Sequence, residues 1–285
     1  MASELTNTEL AARIPEVWPS LLVAAVYDED ALIGRVLNAA ASVKGPYDII
    51  HIATEPTLTA VSVGSDGSVA NSAQTVGDVS LTVDKHYAVL DEWLTKTRDQ
   101  SIDDWFSAWP KAAGKALRQQ IDKDILSLYS DVTSNSVGDG TGHAGEDELL
   151  AAMGKLMQGA LPVASAPGEF TWAFDPDEYQ FLKKQGFLDY RRTGSPGGGA
   201  ETSRLADMWG IPVIFNRQVQ ASGGINQNLL LHKTAFAAAM QRNVTFRMAE
   251  GTAAKKLTTV VVSDVLYGVK TVLQARAVLI KTLDI

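Results

Sequence analysis

Few residues of this sequence are spaced so that they could carry out chemistry. The glycine-rich run Gly138–Gly142 resembles a phosphate loop, and His143 stands near Glu146 and Glu148 as a possible metal-ligand set. A phosphate loop, however, follows a strand and keeps a G-x-G-x-x-G or related spacing, which this run lacks. A single histidine beside acids that begin a helix is more typical of complementation of the helix dipole than of a metal site. We therefore interpret the region as a loop followed by a helix start.

The remaining candidates for catalysis are equally well explained by local structure. The chain contains no cysteine, and no G-x-S-x-G motif is present to hold a nucleophilic serine. The carboxylates Asp175, Asp177 and Glu178 could pair for acid–base work. In the order Asp-Pro-Asp-Glu, however, the first Asp caps a helix, Pro occupies its first position and Glu reaches back. We predict no catalytic residue, no cofactor and no metal, and so a protein that is not an enzyme.

Charge argues against a tight nucleic-acid binder. The formal net charge is −8, and residues 1–43 carry six acids against two bases, Arg13 and Arg35. Proteins that condense nucleic acid usually present a basic arm or face, because cationic side chains release the counterions of the phosphates. The cluster Asp28-Glu29-Asp30 is interpreted as a solvated turn, with a cation or a basic partner as the alternative.

Length and hydropathy place the chain among globular proteins. With 285 residues, 46% of them hydrophobic, it is long enough for one large domain or two smaller ones. No apolar run approaches the roughly 20 residues of a membrane helix, and no signal-peptide pattern is present. We expect a protein made in the cytoplasm with no membrane partner.

The first 90 residues are predicted to form an arm followed by a hairpin. Residues 6–38 have helical periodicity interrupted by Pro15 and Pro19. Strands are then predicted by β-type composition and by alternation; they are Asp48–Ala53, Thr57–Val63 and Val79–Val83. A turn is predicted at Gly64–Gly67, because Asp-Gly supplies the positive φ angles of tight turns.

A long helix follows. Ser101 is placed to cap it, and apolar residues recur at helical spacing from Trp105 and Trp109 to Leu128. We interpret both tryptophans as core residues, and we expect Pro110 to kink or divide the helix.

The second half alternates between helices and strands. The predicted elements are helices at Glu146–Met157, from Asp175 and at Thr234–Arg242, a flexible excursion at Arg191–Gly199, and strands at Ile211–Phe215, Val244–Met248, Leu257–Ser263 and Ala277–Lys281. Segregated helices and strands of this kind predict an α+β fold.

Four segments, in this order, resemble the major capsid proteins of tailed bacteriophages with the Hong Kong 97-type fold, most of all those of podovirus-like phages. They are ELAARIPEVWPSLLVAAVYDEDALIGRVLN, the run from VSLTVDKHYAVLDEW to ALRQQIDKDIL, ADMWGIPVIFNRQV, and the run from TAFAAAMQRNVTFRM to VLQARAVLIKT. Together they cover nearly the whole chain.

The resemblance implies a specific division of the chain. The expected parts are an N-arm at 1–44, an extended E-loop with its base strands at 45–85, a P-domain with a long spine helix at 86–135 plus 233–267, and an A-domain at 136–232 plus 268–285. It also implies subunit contacts through the arm and the E-loop tip, for which the expected residues are Gly64, Asp66, Gly67, Asn71, Trp18 and Leu22.

The function implied by the resemblance is self-assembly. Pentamers and hexamers of the chain would close into the icosahedral head of a virion assembled in the host cytoplasm. The expected partners are copies of itself, a separate scaffolding protein, a portal, and packaged double-stranded DNA contacted non-specifically. A nanocompartment shell of the encapsulin type is the first alternative, and a hydrolase of unknown substrate is a remote one.

Overall fold

The fold is known from a computed structural model of the chain. It describes residues 22–26, 31–39, 49–54, 60–63, 65, 68, 77–94, 104–159, 163, 166–184, 207–251 and 258–284.

The described residues form α-helices, short 3-10 turns and strands. The α-helices with full bounds are α1 (Asp104–Leu126), α2 (Glu146–Gln158) and α3 (Pro176–Lys184). The strands are β1 (Leu37–Asn38), β2 (Ile49–Ala53), β3 (Asp78–Thr82), β4 (Lys85–Leu94), β5 (Ser136–Val137), β6 (Phe170–Phe174), β7 (Asp207–Met208), β8 (Ile211–Phe215), β9 (Ile225–His232), β10 (Phe236–Gly251), β11 (Thr258–Thr271) and β12 (Ala277–Leu283). The 3-10 turns are Leu32–Arg35, Ser127–Val132, Pro167–Glu169 and Gln274–Arg276, and residues 22–26 are also helical. The prediction of a mixed helix-and-sheet protein is confirmed.

A four-stranded sheet is built around the long antiparallel pair β10–β11. Its order is β1-β10-β11-β4, with β1 parallel to β10 and the other pairs antiparallel. Helix α1 packs on one face of this sheet, where Val261, Val265 and Tyr267 of β11 share a core with the helix. The opposite face carries no helix among the described residues.

Helix α1 confirms most of the predicted apolar face. Trp109, Ala113, Leu117, Ile121 and Ile125 are all buried, at spacings of four residues, as one side of a 3.6-residue helix requires. Ala116, an apolar residue whose position next to Leu117 also suggests this face, is exposed. Pro110 lies within the continuous helix and does not divide it.

A six-stranded sheet forms the second layer, in the order β5-β12-β9-β6-β8-β7. Neighbouring residues of its central strands point to opposite faces, and both faces are buried. Trp172, Leu230 and Val278 pack with helices α2 and α3, while Leu229 and Leu279 belong to the core that contains α1. Burial on both faces explains why the apolar residues of these strands occur in runs, such as Leu229–Leu231, instead of alternating with exposed polar residues.

Strands β2 and β3 form a separate antiparallel hairpin, with Ile50 opposite Leu81. The predicted alternation in β3 is confirmed, since Leu81 is fully buried and its neighbours Ser80 and Thr82 are exposed. Leu81 and Ile50 pack with Ala237 and Ala239 of β10, so the hairpin base lies on the four-stranded sheet.

The predicted helix at Thr234–Arg242 is wrong, because this segment is the first half of strand β10. Its alanines favour a helix in isolation. In the folded chain, Phe236 to Met240 pair instead with Tyr267 to Thr271 of β11, and the small alanine side chains make room for the hairpin base. Tertiary pairing therefore overrides the local propensity.

Candidate assembly surfaces and the junctions behind them

The glycine-rich run at 138–142 forms a turn against strand β12. Gly138 and Gly140 have φ angles of 80° and 79°, and a Cβ on Gly138 would stand 2.5 Å from the backbone oxygen of Lys281. Glycine is required there by conformation and by close packing. The arrangement therefore explains these glycines without a phosphate ligand.

His143 has a different carboxylate partner from those that its sequence neighbours suggested. Its Nδ1 lies 3.0 Å from Oε1 of Glu178, 35 residues away, and its ring stacks on Phe181 at 4.5 Å. Glu178 is fully buried and also accepts a hydrogen bond from the backbone N–H of Ala144. Neither Glu146 nor Glu148 is the partner of this pair. Within the described ranges, no group of three or more His, Asp or Glu side chains is suited to hold a metal ion.

Helix α3 begins partly as predicted. Asp175 caps it, since its Oδ1 accepts the backbone N–H of Asp177 at 2.9 Å. The predicted reach-back of Glu178 is wrong, because that side chain turns to His143 and Ala144. Burial, together with the nearby charges of Asp177, Asp284 and Glu178, raises the pKa of Asp175 against the opposing hydrogen bond from Asp177.

Most residues predicted to touch neighbouring subunits lie outside the described part of the chain. These are Gly64, Asp66, Gly67, Asn71 and Trp18. Leu22 is described and is fully buried beside α1, where its backbone oxygen lies 2.9 Å from a Cβ built on Gly114. For Leu22 to contact a neighbouring subunit, residues 22–26 would have to move away from helix α1 of the same chain.

The hairpin and the segment that follows β2 present apolar side chains to solvent. Val63 is 63% exposed, Ile49 is 51% exposed and Val61 is 40% exposed. Residues 45–84 carry five acids and no lysine or arginine. The segment is therefore acidic in sequence, and it carries apolar side chains that the described part of the chain leaves uncovered.

The helix-free face of the four-stranded sheet, which we call the outer sheet face, has similar properties. It carries His86, Ala88, Leu90 and Glu92 of β4, which are exposed and alternate with half-buried residues that face α1. Leu90 is 65% exposed. Strand β4 is an edge strand of this sheet, and a large apolar side chain exposed on it is a candidate contact for another molecule.

Asp264 organises charge on the outer sheet face. His86 Nε2 and Arg242 Nη1 each lie 3.0 Å from its Oδ2, and the Thr245 hydroxyl donates to its Oδ1. Burial opposes ionisation, but these hydrogen bonds outweigh it and lower the pKa of Asp264 to about 2. The carboxylate is thus ionised at neutral pH, and it orients the partly exposed side chains of Arg242 and His86.

A second buried carboxylate, Asp122, lies on α1 where three parts of the chain meet. The backbone N–H of Leu32 donates to its Oδ1 at 3.1 Å, and Asn216 Nδ2 donates to its Oδ2 at 2.8 Å. Its side chain is 1% exposed. Burial raises the pKa of Asp122 to about 6, against the opposing effects of Asn216, Leu32 and Arg118.

Two further carboxylates of α1 and its 3-10 extension bind strand β11. Asp124 accepts the Tyr267 hydroxyl at 2.8 Å and lies 3.3 Å from Lys85 Nζ, and Asp131 accepts the Thr271 hydroxyl at 2.6 Å. Burial and the Asp124 charge raise the pKa of Tyr267 far above its usual range. These acids were not singled out in the sequence. The available signal was that Asp122 and Asp124 stand beside Ile121 and Ile125, which occupy the buried face of α1.

The described residues therefore form exposed apolar surfaces and internal polar junctions. None of the described helices combines the length and the apolar character needed to cross a membrane.

Comparison with known proteins finds similarity in structure only. No protein-family model matches the sequence, and no curated protein matches it. Among solved structures, the capsid of the cyanophage P-SCSP1u is similar with a TM-score of 0.66 and 14% identity, over 88% of this chain and 87% of that one. The mature capsid of bacteriophage PhiM1 is similar with a TM-score of 0.63 and 12% identity, over 88% and 86%. The capsid of Ralstonia phage GP4 is similar with a TM-score of 0.63 and 12% identity, over 90% and 88%. At such identities the similarity shows the fold, and the chain has the fold of these phage capsid chains.

Proposed function

We propose that this chain is the major capsid protein of a tailed bacteriophage. The single observation that carries the proposal is the shared fold, because it extends over almost nine tenths of both chains in the three capsid structures. A fold by itself hosts many functions. Here the described residues add surfaces suited to self-association, and the function resides in those surfaces.

The proposed division into arm, hairpin and two domains agrees with how the sheets are assembled. Every strand of the six-stranded sheet falls within 136–232 or 268–285, the ranges proposed for the A-domain. Helix α1 and most of β4, β10 and β11 fall within 86–135 and 233–267, the ranges proposed for the P-domain with its spine helix. Strand β11 crosses from one range into the other, so the two domains would share a continuous strand.

The proposed assembly places hairpin and arm against neighbouring subunits in pentamers and hexamers. Closed shells require each subunit to bury complementary patches against others. The apolar side chains at Ile49, Val61 and Val63 and the exposed Leu90 are such patches on an otherwise folded chain. A separate scaffolding protein and a portal would act as further partners during assembly in the host.

The proposed contents of the shell are double-stranded DNA without tight binding. The net charge of −8 and the acidic N-terminal 43 residues give little electrostatic attraction to phosphates. DNA held by such a shell would therefore be packed by an external motor and contacted non-specifically.

The test is whether the purified chain, alone or with its scaffolding protein, forms closed hollow particles under the electron microscope. A stable monomer in the presence of scaffold would contradict the proposal. Particles that hold a protein cargo and come from a locus without packaging genes would favour the encapsulin-type alternative.

A matched pair of variants tests whether the hairpin takes part in assembly. Val63→Asp places a charge at a side chain that is 63% exposed, and Ser65→Asp adds the same charge two residues away at another exposed position. We expect both variants to fold, and only Val63→Asp to lose particles, because a buried charge at an apolar contact is costly. Equal particle yields would remove the hairpin from the proposed contacts.

A further inference from the structure

The segment at residues 31–39 is held to the rest of the chain partly through one buried carboxylate. Leu32, Ile33 and Val36 are buried beside α1, and β1 adds a short parallel pairing with β10. Beside α1, the segment is also linked by the hydrogen bond from the Leu32 N–H to Asp122. The same carboxylate binds Asn216, which follows β8 of the six-stranded sheet.

Among the described residues, the groups that donate hydrogen bonds to Asp122 are neutral. On its own helix, Arg118 Nε lies 3.7 Å from Oδ2, which is beyond normal hydrogen-bond distance. Strand β11 contributes Tyr267, whose hydroxyl donates to Asp124, and Asp124 in turn faces Lys85 of β4. The arm segment contributes a backbone N–H, and residue 216 contributes a neutral amide.

We propose that Asp122 is a pH-sensitive latch, which holds the arm segment 31–39 against α1 when it is protonated and weakens that hold when it is ionised. The inference concerns the folded chain itself and does not rest on the proposed assembly.

The direction follows from where the charge is hydrated. With the segment closed, the carboxyl is buried and its pKa is about 6; with the segment lifted, water reaches it and the pKa returns towards the ordinary value of 3.8. Above pH 6 the closed form contains a poorly hydrated ion that opening would hydrate. As the pH falls through 6 the closed carboxyl takes up a proton, and its carbonyl oxygen still accepts the Leu32 N–H.

The size of the effect follows from the two pKa values. The equilibrium constant for opening depends on pH because the carboxyl has different pKa values in the closed and open forms. A difference of about two pKa units changes this constant by about 100-fold between the fully protonated and the fully ionised carboxyl. Between pH 5 and pH 8 most of the closed-state titration is covered, and the expected change in opening is about tenfold.

The experiment is hydrogen–deuterium exchange of the full-length chain at pH 5 and pH 8, read in peptides that cover residues 31–39 and corrected for intrinsic exchange. Amide exchange reports local opening of a folded chain. In the wild type we expect protection of the arm segment to fall about tenfold from pH 5 to pH 8. In Asp122→Asn, which is neutral at both values, we expect no such change. Asp139→Asn alters an exposed loop carboxylate and should behave as the wild type does.

Three results would overturn the latch. The first is a wild-type arm whose protection does not depend on pH, and the second is the same dependence in Asp122→Asn. The third is a parallel change in peptides from β9, because Leu229 to Leu231 are fully buried and would then report global unfolding. If Asp122→Asn fails to fold, a wild-type arm whose protection does not change relative to the β9 peptides between pH 5 and pH 8 still overturns the latch.

Discussion

Two glycines in the interiors of helices α1 and α2 are expected to respond in opposite directions to the same substitution. A Cβ built on Gly154 in α2 meets no atom within 4 Å. A Cβ built on Gly114 in α1 would lie 2.7 Å from the Ala25 Cβ and 2.9 Å from the Leu22 backbone oxygen. We expect Gly154→Ala to stabilise the protein by about 1 kcal/mol, because alanine has the higher helix propensity.

The magnitude at Gly114 combines two effects. The propensity gain of about 1 kcal/mol is the same, but the two contacts of 2.7 and 2.9 Å are shorter than ordinary van der Waals distances, which begin at 3.4 Å. Relieving an overlap of this kind by shifting backbone typically costs about 1–3 kcal/mol. Because propensity cancels between the two variants, Gly114→Ala should be less stable than Gly154→Ala by about 1–3 kcal/mol.

The assay is equilibrium unfolding in urea of both variants and the wild type, with the midpoint and the slope of each transition compared. Equal stabilisation of both variants would refute the reasoning. It would mean that residues 22–26 do not pack on α1 at the distance described. Such a result would also weaken the latch, since the same arm carries Leu32.

Three further outcomes are expected. Asp264→Asn should lower the free energy of unfolding by about 1.5–3 kcal/mol at pH 7, since it replaces an ionised acceptor of charge-assisted hydrogen bonds. This difference in the free energy of unfolding should be complete above pH 3.8 and disappear as the pH falls towards 2, as denaturant titrations at several pH values would show. A difference that does not depend on pH would contradict its ionic origin. Particles boiled in detergent should run as a single band near 30.5 kDa. A covalent lysine–asparagine cross-link between these segments of neighbouring subunits cannot form, because residues 45–84 contain no lysine and residues 244–260 contain no asparagine. A ladder of multiples would disprove this. A broad-specificity protease should cut free subunits between residues 64 and 78 while assembled particles resist, because this segment has few large apolar side chains to offset its ordering entropy; equal cleavage would withdraw the proposed contact.

Local sequence patterns were sufficient to predict features that depend on residues close together in the chain. The four-residue recurrence from Trp109 to Ile125 predicted the buried face of α1, and the alternation around Leu81 predicted the inward face of β3. The Asp-Pro start of α3 likewise predicted the cap made by Asp175. These signals succeed because periodicity and capping depend on residues a few positions apart.

Strands covered on both faces were harder to predict, for a physical reason. Strand β6 is buried at every position and β9 at every position after Ile225, so they lack the alternation that identifies a strand with one solvent face. The alanines before Met240 were assigned to a helix for the related reason that propensity is a weak guide beside pairing with β11.

The sequence by itself thus determined the mixed architecture, the long helix, the strands β2 and β3 and the acidic charge, because each of these depends on short-range spacing or on composition. The predicted strand Thr57–Val63 is wrong in its described part, since residues 60–63 form no strand. The tertiary structure alone decided which distant groups meet. Asp122 binds Leu32 and Asn216, which are 90 and 94 residues away in the sequence. The Glu178 side chain contacts His143 instead of the start of its own helix. An isolated carboxylate in a sequence does not reveal its partner, since that depends on which elements pack together, and packing is settled by the burial of whole faces.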